Sequence, residues 1–287
     1  MKALDIPVLA LGPGSQPDDG GLQFMDMPKE IHRFQMPRVP ERADPRDMAE
    51  ARRIVEAAIG ALGRWHPGES AHPRIDVTEL APGPLAVLNE VLGEGEVSVR
   101  VEQPLASRMQ ETLFAGVWRV LQIDSRGGLE HDSIEICSIP RLTVESALRA
   151  AGLTLAAWPV PAEVMNAPSL LAEIEYQSRA WRAGAPAHVV NLSLLPLSPA
   201  DHRYLEERLP VGPVAIMSRG FGNCRITSTA LVNVWRVQYF NNMQTLILNT
   251  IEVVDIPEVA LAAPEDLADS ALRLAELAEW MAESDDA

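Results

Sequence analysis

The chain contains a second copy of its own pattern. Phe114-Ala-Gly-Val-Trp118-Arg-Val120 returns 117 residues later as Leu231-Val-Asn-Val-Trp235-Arg-Val237. The same offset carries Leu80 onto Leu197, Pro82 onto Pro199, Val97 onto Val214, Arg108 onto Arg225 and Thr112 onto Thr229. It also carries Ile134-Glu135 onto Ile251-Glu252 and Ile139-Pro140 onto Ile256-Pro257. Without a gap, 18 of the 61 positions from 80 to 140 agree. Self-similarity at a fixed spacing marks a repeated structural unit. The expectation is a tandem duplication, so an element assigned to one half must also be legible in the other.

Each unit reads as helix, strand, helix, three antiparallel strands, helix. The first helix is predicted over 46–65, where Asp44 and Pro45 are start signals and Met48, Ala51, Ile54, Ala58 and Leu62 form an apolar stripe. Its counterpart spans 168–183, with Leu171, Ile174 and Trp181 on one face and Gly184 as a stop. Strands follow at 75–80 and 188–195, then shorter helices at 83–92 and 199–209, the latter with Ser198-Pro199 as cap and first position. The three strands fall at 96–102, 108–123 and 133–139, and at 213–218, 224–240 and 246–256. Closing helices are expected at 143–151 and 264–283. Antiparallel strands backed by helices make the fold class α+β. The organisation is a flexible N-terminal arm over 1–43, a first repeat over 44–155 and a second over 156–287. The arm is rich in Gly and Pro and carries Phe24, Met25, Met27, Phe34 and Met36, unbranched apolar side chains suited to an adaptable contact or to docking on the core.

Charge narrows the function. The net charge is −16, which excludes phosphate backbones and anionic membrane surfaces as natural partners. From Glu252 to Asp286 there are eleven acids against one base, Arg273. Such a segment serves solubility, or it steers a basic partner. No stretch reaches the length of a membrane span, and the first residues lack a signal-peptide pattern, so the cytoplasm is expected. Two cysteines, Cys137 and Cys224, make neither a disulfide framework nor a CxxC site. The six histidines show no metal-binding spacing, so a metal site would need tertiary assembly, and none is expected, nor is any cofactor.

No catalytic constellation is visible, and the chain reads as a non-enzyme. The specialised segment is Ser218-Arg219-Gly220-Phe221-Gly222-Asn223-Cys224, a hairpin tip whose glycines permit positive φ and whose counterpart in the first half has no glycine. It lacks the Gly-Lys-Ser/Thr ending of a phosphate loop. Arg219 and Arg225 would favour a Cys224 thiolate, whereas burial would make it an inert small residue. Tyr239 and Asn241 end a strand as a polar, aromatic rim, suited to peptide contact or to packing and turn chemistry. A hairpin loop of about seven residues would set Arg119 across from Glu135 and Arg236 across from Glu252, two structural ion pairs.

These segments are similar to a known family. Gly93-Glu-Gly-Glu-Val97, Gln110-Glu-Thr-Leu-Phe-Ala-Gly-Val-Trp118-Arg-Val120 and Ile134-Glu135 resemble one conserved block of the HupH/HyaF hydrogenase expression proteins. Ser218 to Ile226, Asn233-Val-Trp235, Val237 to Asn241, Thr245 to Pro257 and Ala263 to Asp269 resemble the other. The resemblance implies a cytoplasmic chaperone-like maturation factor for a membrane-bound uptake [NiFe] hydrogenase. Its expected partner is the immature iron–sulfur small subunit, with that subunit's twin-arginine signal peptide as the contact; other maturation proteins are further candidate partners. The candidate contacts are residues 218–224, Tyr239, Asn241 and the acids Asp255, Glu258, Glu265, Asp266 and Asp269. The alternatives are an iron–sulfur carrier or thiol-dependent enzyme centred on Cys224, or a scaffold for other maturation factors.

Overall fold

A computed structural model describes residues 43–69, 71–150, 152, 159–220 and 222–285. The arm expected over 1–43 lies outside them except for Ala43. The element order is α1 (Pro45–Leu62), β1 (Arg74–Asp76), α2 (Pro82–Leu92), β2 (Val97–Val101), β3 (Ser107–Glu111), β4 (Val117–Ile123), β5 (Leu129–Ile136) and α3 (Arg141–Ala150). Then come α4 (Ala167–Ala180), β6 (His188–Asn191), α5 (Pro199–Arg208), β7 (Val211–Ser218), β8 (Asn223–Thr229), β9 (Val234–Phe240), β10 (Leu246–Val253) and α6 (Pro264–Asp285). Local chemistry starts the helices. Asp44 caps α1 by accepting the Arg46 N–H, and Ser198 and Asp201 close a capping box on α5. The Asp201 carboxylate also accepts the N–H groups of Met165, Asn166 and Ala167 at 2.9, 2.8 and 3.0 Å, so one buried side chain ties α4 to α5.

All ten strands form one antiparallel sheet in the order β1-β5-β4-β3-β2-β7-β8-β9-β10-β6. The halves meet at β2 and β7, where Val99 pairs with Ile216, its own counterpart at the 117-residue offset. Val97 pairs with Ser218 and Val101 with Val214, so the register reads the same from either side. Flanking bonds obey the same relation: Glu102 N–H donates to Pro213 O at 3.0 Å, and Arg219 N–H to Glu96 O at 3.1 Å. A pseudo-two-fold axis therefore passes through the Val99–Ile216 pair.

Burial follows this plan. Helices α2 and α5 lie over the sheet face that bears Arg119 and Arg236, α1 packs on α2 and α4 on α5, and α6 packs along α1. Helix α3 lies on the opposite face across β2 and β7, with the Thr143 hydroxyl against the Met109 sulfur. Trp118 and Trp235 are wholly buried at related positions. Their indole N–H groups donate to Cys137 O and to Val254 O and Asp255 O.

Two expectations need correction. The strands expected over 108–123 and 224–240 are each two strands, so four strands, not three, follow the second helix of each half. The reversal is made by Thr112, whose hydroxyl oxygen accepts the Phe114 N–H at 3.2 Å, with Gly116 at φ 79°. Thr229 does the same for Leu231, with Asn233 at φ 56°. Nor are the ion pairs those expected. Arg119 faces Ile134 and Arg236 faces Ile251, whereas Glu135 and Glu252 face the tryptophans. A one-residue difference in register puts a side chain on the other face of the sheet. Arg119 instead binds Asp132 through both of its carboxylate oxygens and Asn89 at 2.9 Å. Arg236 binds Asn249 at 3.2 Å and Glu206 at 3.3 Å. Asp132 corresponds to Asn249 and Asn89 to Glu206, so acid and amide have changed places between the halves.

Candidate functional site

The β7–β8 tip is anchored at the sheet's centre. Ser218, buried at the end of β7, pairs with Cys224 at the start of β8. Arg219 joins the strand pairing through Glu96 O. Gly220 lies directly under the Glu96 carboxylate, which a Cβ there would push aside. Gly222 has φ 97°, the left-handed conformation that favours glycine. Asn223 pairs with Phe240, and the Arg225 guanidinium lies 5.1 Å from the Phe240 ring centre. Phe221 lies outside the described residues. The glycines thus let the hairpin turn tightly beside the Glu96 carboxylate, a neighbour that the sequence did not reveal.

Cys224, Tyr239 and Glu252 share one sheet face, because Cys224 pairs with Tyr239 and the alternation along β9 and β10 brings Glu252 to the same side. Cys224 is 1% exposed. Burial pushes its thiol up to about 12; a hydrogen bond with Tyr239 opposes the rise and Glu252 adds to it. Burial also pushes Tyr239 up to about 12, with Cys224 and Glu252 adding to the effect. Glu252 is raised by burial too; the Thr250 hydroxyl opposes this and Glu258 adds to it. With its thiol raised by burial, Cys224 is a poor nucleophile in this arrangement.

The remaining candidates do not gather at one place. Glu258 joins Cys224, Tyr239 and Glu252, close enough to act on Glu252. Asp255 is raised by burial alone, and its carbonyl accepts the Trp235 indole. Glu265 and Asp266 occupy the first turn of α6, where acids complement the helix dipole, and Asp269 pairs with Arg273 at 3.7 Å. Asp266 acts on Glu111 of β3, in the other half. Asn241 closes the β9–β10 turn, its side-chain oxygen accepting the N–H groups of Met243 and Thr245, both at 2.9 Å. Asp124 plays that part in the first half.

Two buried features of the first half escaped the sequence reading. Glu111 is 7% exposed, and burial pushes its carboxyl up to about 7, against the Gly116 N–H that it accepts. His72, Glu135 and Cys137 converge from three places in the chain. Neither has a local motif; each exists only because β1, β3 and β5 are brought together by the sheet.

Comparison with known proteins identifies the relatives. The pattern of the HupH hydrogenase expression protein family, C-terminal conserved region, matches residues 48–148 and again 164–281. A hydrogenase expression/formation protein HoxQ of Cupriavidus necator is 45% identical over 98% of this chain and 99% of its own length. The hydrogenase-1 operon protein HyaF of Escherichia coli is 31% identical over 96% of each. A solved structure of hydrogenase expression protein HupH from Thiobacillus denitrificans is 30% identical, covering 41% of this chain and 96% of its own, with a TM-score of 0.37. The chain belongs to the HupH family.

Proposed function

We propose that this HupH-family chain is a non-enzymatic accessory protein in the formation of a membrane-bound uptake [NiFe] hydrogenase, and that it holds the immature iron–sulfur small subunit before export. The observation that carries the reading is relationship over nearly the whole chain to proteins named for hydrogenase expression and formation. The surface chemistry agrees with the partner. A signal with paired arginines followed by an apolar stretch complements acids beside a sheet face, and Glu252, Glu258 and Tyr239 offer that combination. Ser218, paired with Cys224, borders the same face. A partner that still carries its export signal makes the cytoplasm the place of action. No helix among the described residues is long and apolar enough to cross a membrane.

We further propose that the two halves descend from one duplicated unit, each a repeat in its own right. The internal match, the pseudo-two-fold register and the double family match support this. A thiol-enzyme role for Cys224 has the less support, because the side chain is buried and burial raises its thiol.

Co-expression with the small-subunit precursor, with and without its signal peptide, and with the large subunit, tests the function. Co-purification with the precursor but not the large subunit is expected, and it weakens when the signal is removed. Failure to retain either form of a soluble precursor overturns the small-subunit reading.

A further inference from the structure

His72 lies just before β1, Glu135 near the end of β5, and Cys137 immediately beyond β5. One donor atom from each comes within 4.8 Å of the others. His72 Nδ1 and Glu135 Oε1 are 3.1 Å apart. Cys137 is fully buried, while the His72 and Glu135 side chains keep 16% and 13% of their exposure, so one side of the cluster reaches solvent. Trp65 stands edge-on to the His72 imidazole, ring centres 5.9 Å apart, and its buried indole N–H has no acceptor among the described residues.

Imidazole nitrogen, carboxylate oxygen and thiolate sulfur are the donors that a borderline divalent ion selects, and three protein ligands with an open fourth position suit a tetrahedral centre. With metal–ligand distances of about 2.0–2.3 Å, neighbouring ligands in such a centre lie about 3.5 Å apart, so roughly 1 Å of closure completes the site. The second half supplies an internal control. Glu252 corresponds to Glu135 there, but the 117-residue offset sets Val254 in place of Cys137, and the strand register, with Arg74 opposite Glu135 and Val189 opposite Glu252, sets Ala187 in place of His72. The fold therefore needs neither the thiol nor the imidazole at these positions; the first half alone carries them.

We propose that His72, Glu135 and Cys137 form a binding site for one divalent transition-metal ion of the Zn²⁺ class. The fourth position is open to water or to a donor from another molecule. Binding exchanges the Cys137 thiol proton for the metal, so uptake releases protons and weakens as pH falls. The site lies at β5, five strands along the sheet from Cys224 on β8, and does not depend on the hydrogenase reading.

The test is titration of the purified full chain with Co²⁺, followed by competition with Zn²⁺. One equivalent of Co²⁺ should give a thiolate-to-cobalt charge-transfer band together with the visible bands of a tetrahedral ion, and Zn²⁺ should displace it. Cys137→Val and His72→Ala copy the side chains of the second half and are expected to keep the fold, checked by circular dichroism. Cys137→Val should abolish the charge-transfer band. His72→Ala should weaken Zn²⁺ binding by at least about 100-fold, as loss of a ligand exceeds loss of a group that only orients one. Cys224→Ser should leave both unchanged. A wild-type chain that gives no charge-transfer band, or that binds Zn²⁺ no better than the folded Cys137→Val chain, overturns the proposal and leaves an ordinary His–Glu pair beside a buried thiol.

Discussion

Replacing Asp132 by Asn would turn the first half's buried ion pair into the amide arrangement of the second half. Asp132 keeps 4% of its side-chain exposure and Arg119 15%, so the pair is largely out of water. Removing one partner of a buried pair costs about 3–5 kcal/mol, but Asn retains an acceptor and Asn89 still bonds the guanidinium. The expected cost of Asp132→Asn is therefore about 2 kcal/mol, about 4 °C in Tm for a chain of this size. The second half points to a partial rescue. There the acid sits on α5 as Glu206, 56% exposed, and partners Arg236. Asn89→Glu in the Asp132→Asn background should rebuild that arrangement and recover about 0.5–1 kcal/mol, the value of a half-solvated pair. Urea unfolding of the four chains measures both terms as a double-mutant cycle. A cost below about 0.5 kcal/mol for Asp132→Asn, or a cycle in which Asn89→Glu gives no recovery, refutes the pairing described for Arg119.

Other consequences follow from buried groups. The Glu111 carboxyl titrates near 4.5 when unfolded and at about 7 when folded, so its stabilising contribution is whole below about 4.5 and is lost as pH rises through about 7. Glu111→Gln should thus stabilise the chain by about 1–3 kcal/mol at pH 8 and by nothing at pH 4, and an equal effect at both would contradict the shift. Burial pushes Asp201 up, but the Ala167 and Ser198 N–H groups, the Ser198 hydroxyl and the Asn166 N–H outweigh it and hold it well below the carboxylate range. Asp201→Ala should cost about 3 kcal/mol and expose the α4–α5 junction first in hydrogen exchange; protection there equal to that of the native chain would argue against the tie. Ile216→Ala, at the pseudo-two-fold axis, should cost about 2–4 kcal/mol, whereas Ile247→Ser, 61% exposed, should change stability by less than about 0.5 kcal/mol in urea titrations. Neither Cys137 nor Cys224 should react with a thiol reagent until the chain unfolds; rapid native labelling of Cys224 would restore a thiol role to it.

Periodicity and punctuation made most of the architecture readable. Asp44-Pro45 and Ser198-Pro199 announced α1 and α5, Pro140 and Pro257 follow the last strand of each half, and the offset of 117 tied the halves together. The two missed hairpins were written in a subtler signal. Thr112 and Thr229 matched at the offset, but in each half an apolar run beyond the threonine reads as continued strand unless the hydroxyl is seen to accept the N–H two residues on. Treating 108–123 and 224–240 as unbroken hid β3 and β8 as separate strands. The ion pairs turn on register, because one residue of loop length moves a side chain to the opposite face. Of the candidate surface, the tip's glycines were legible, and so was the acidity after Glu252. The raised thiol of Cys224 was not, since it depends on burial and on Tyr239 and Glu252 from neighbouring strands. The His72–Glu135–Cys137 cluster was hidden for the same reason: its members are 63 and 2 residues apart, and only the pairing of β1 with β5 joins them.

The central claim is that an acidic sheet face of the second half engages the signal-bearing small-subunit precursor. The most direct measurement is the affinity of the purified chain for that precursor at low and high salt, with the wild type beside a folded Glu258→Lys chain. Tight binding at low salt that falls with salt, and at least about tenfold weaker binding by the charge-reversed chain, is the predicted result. A precursor that does not bind, or that binds both chains equally at every salt concentration, would contradict it.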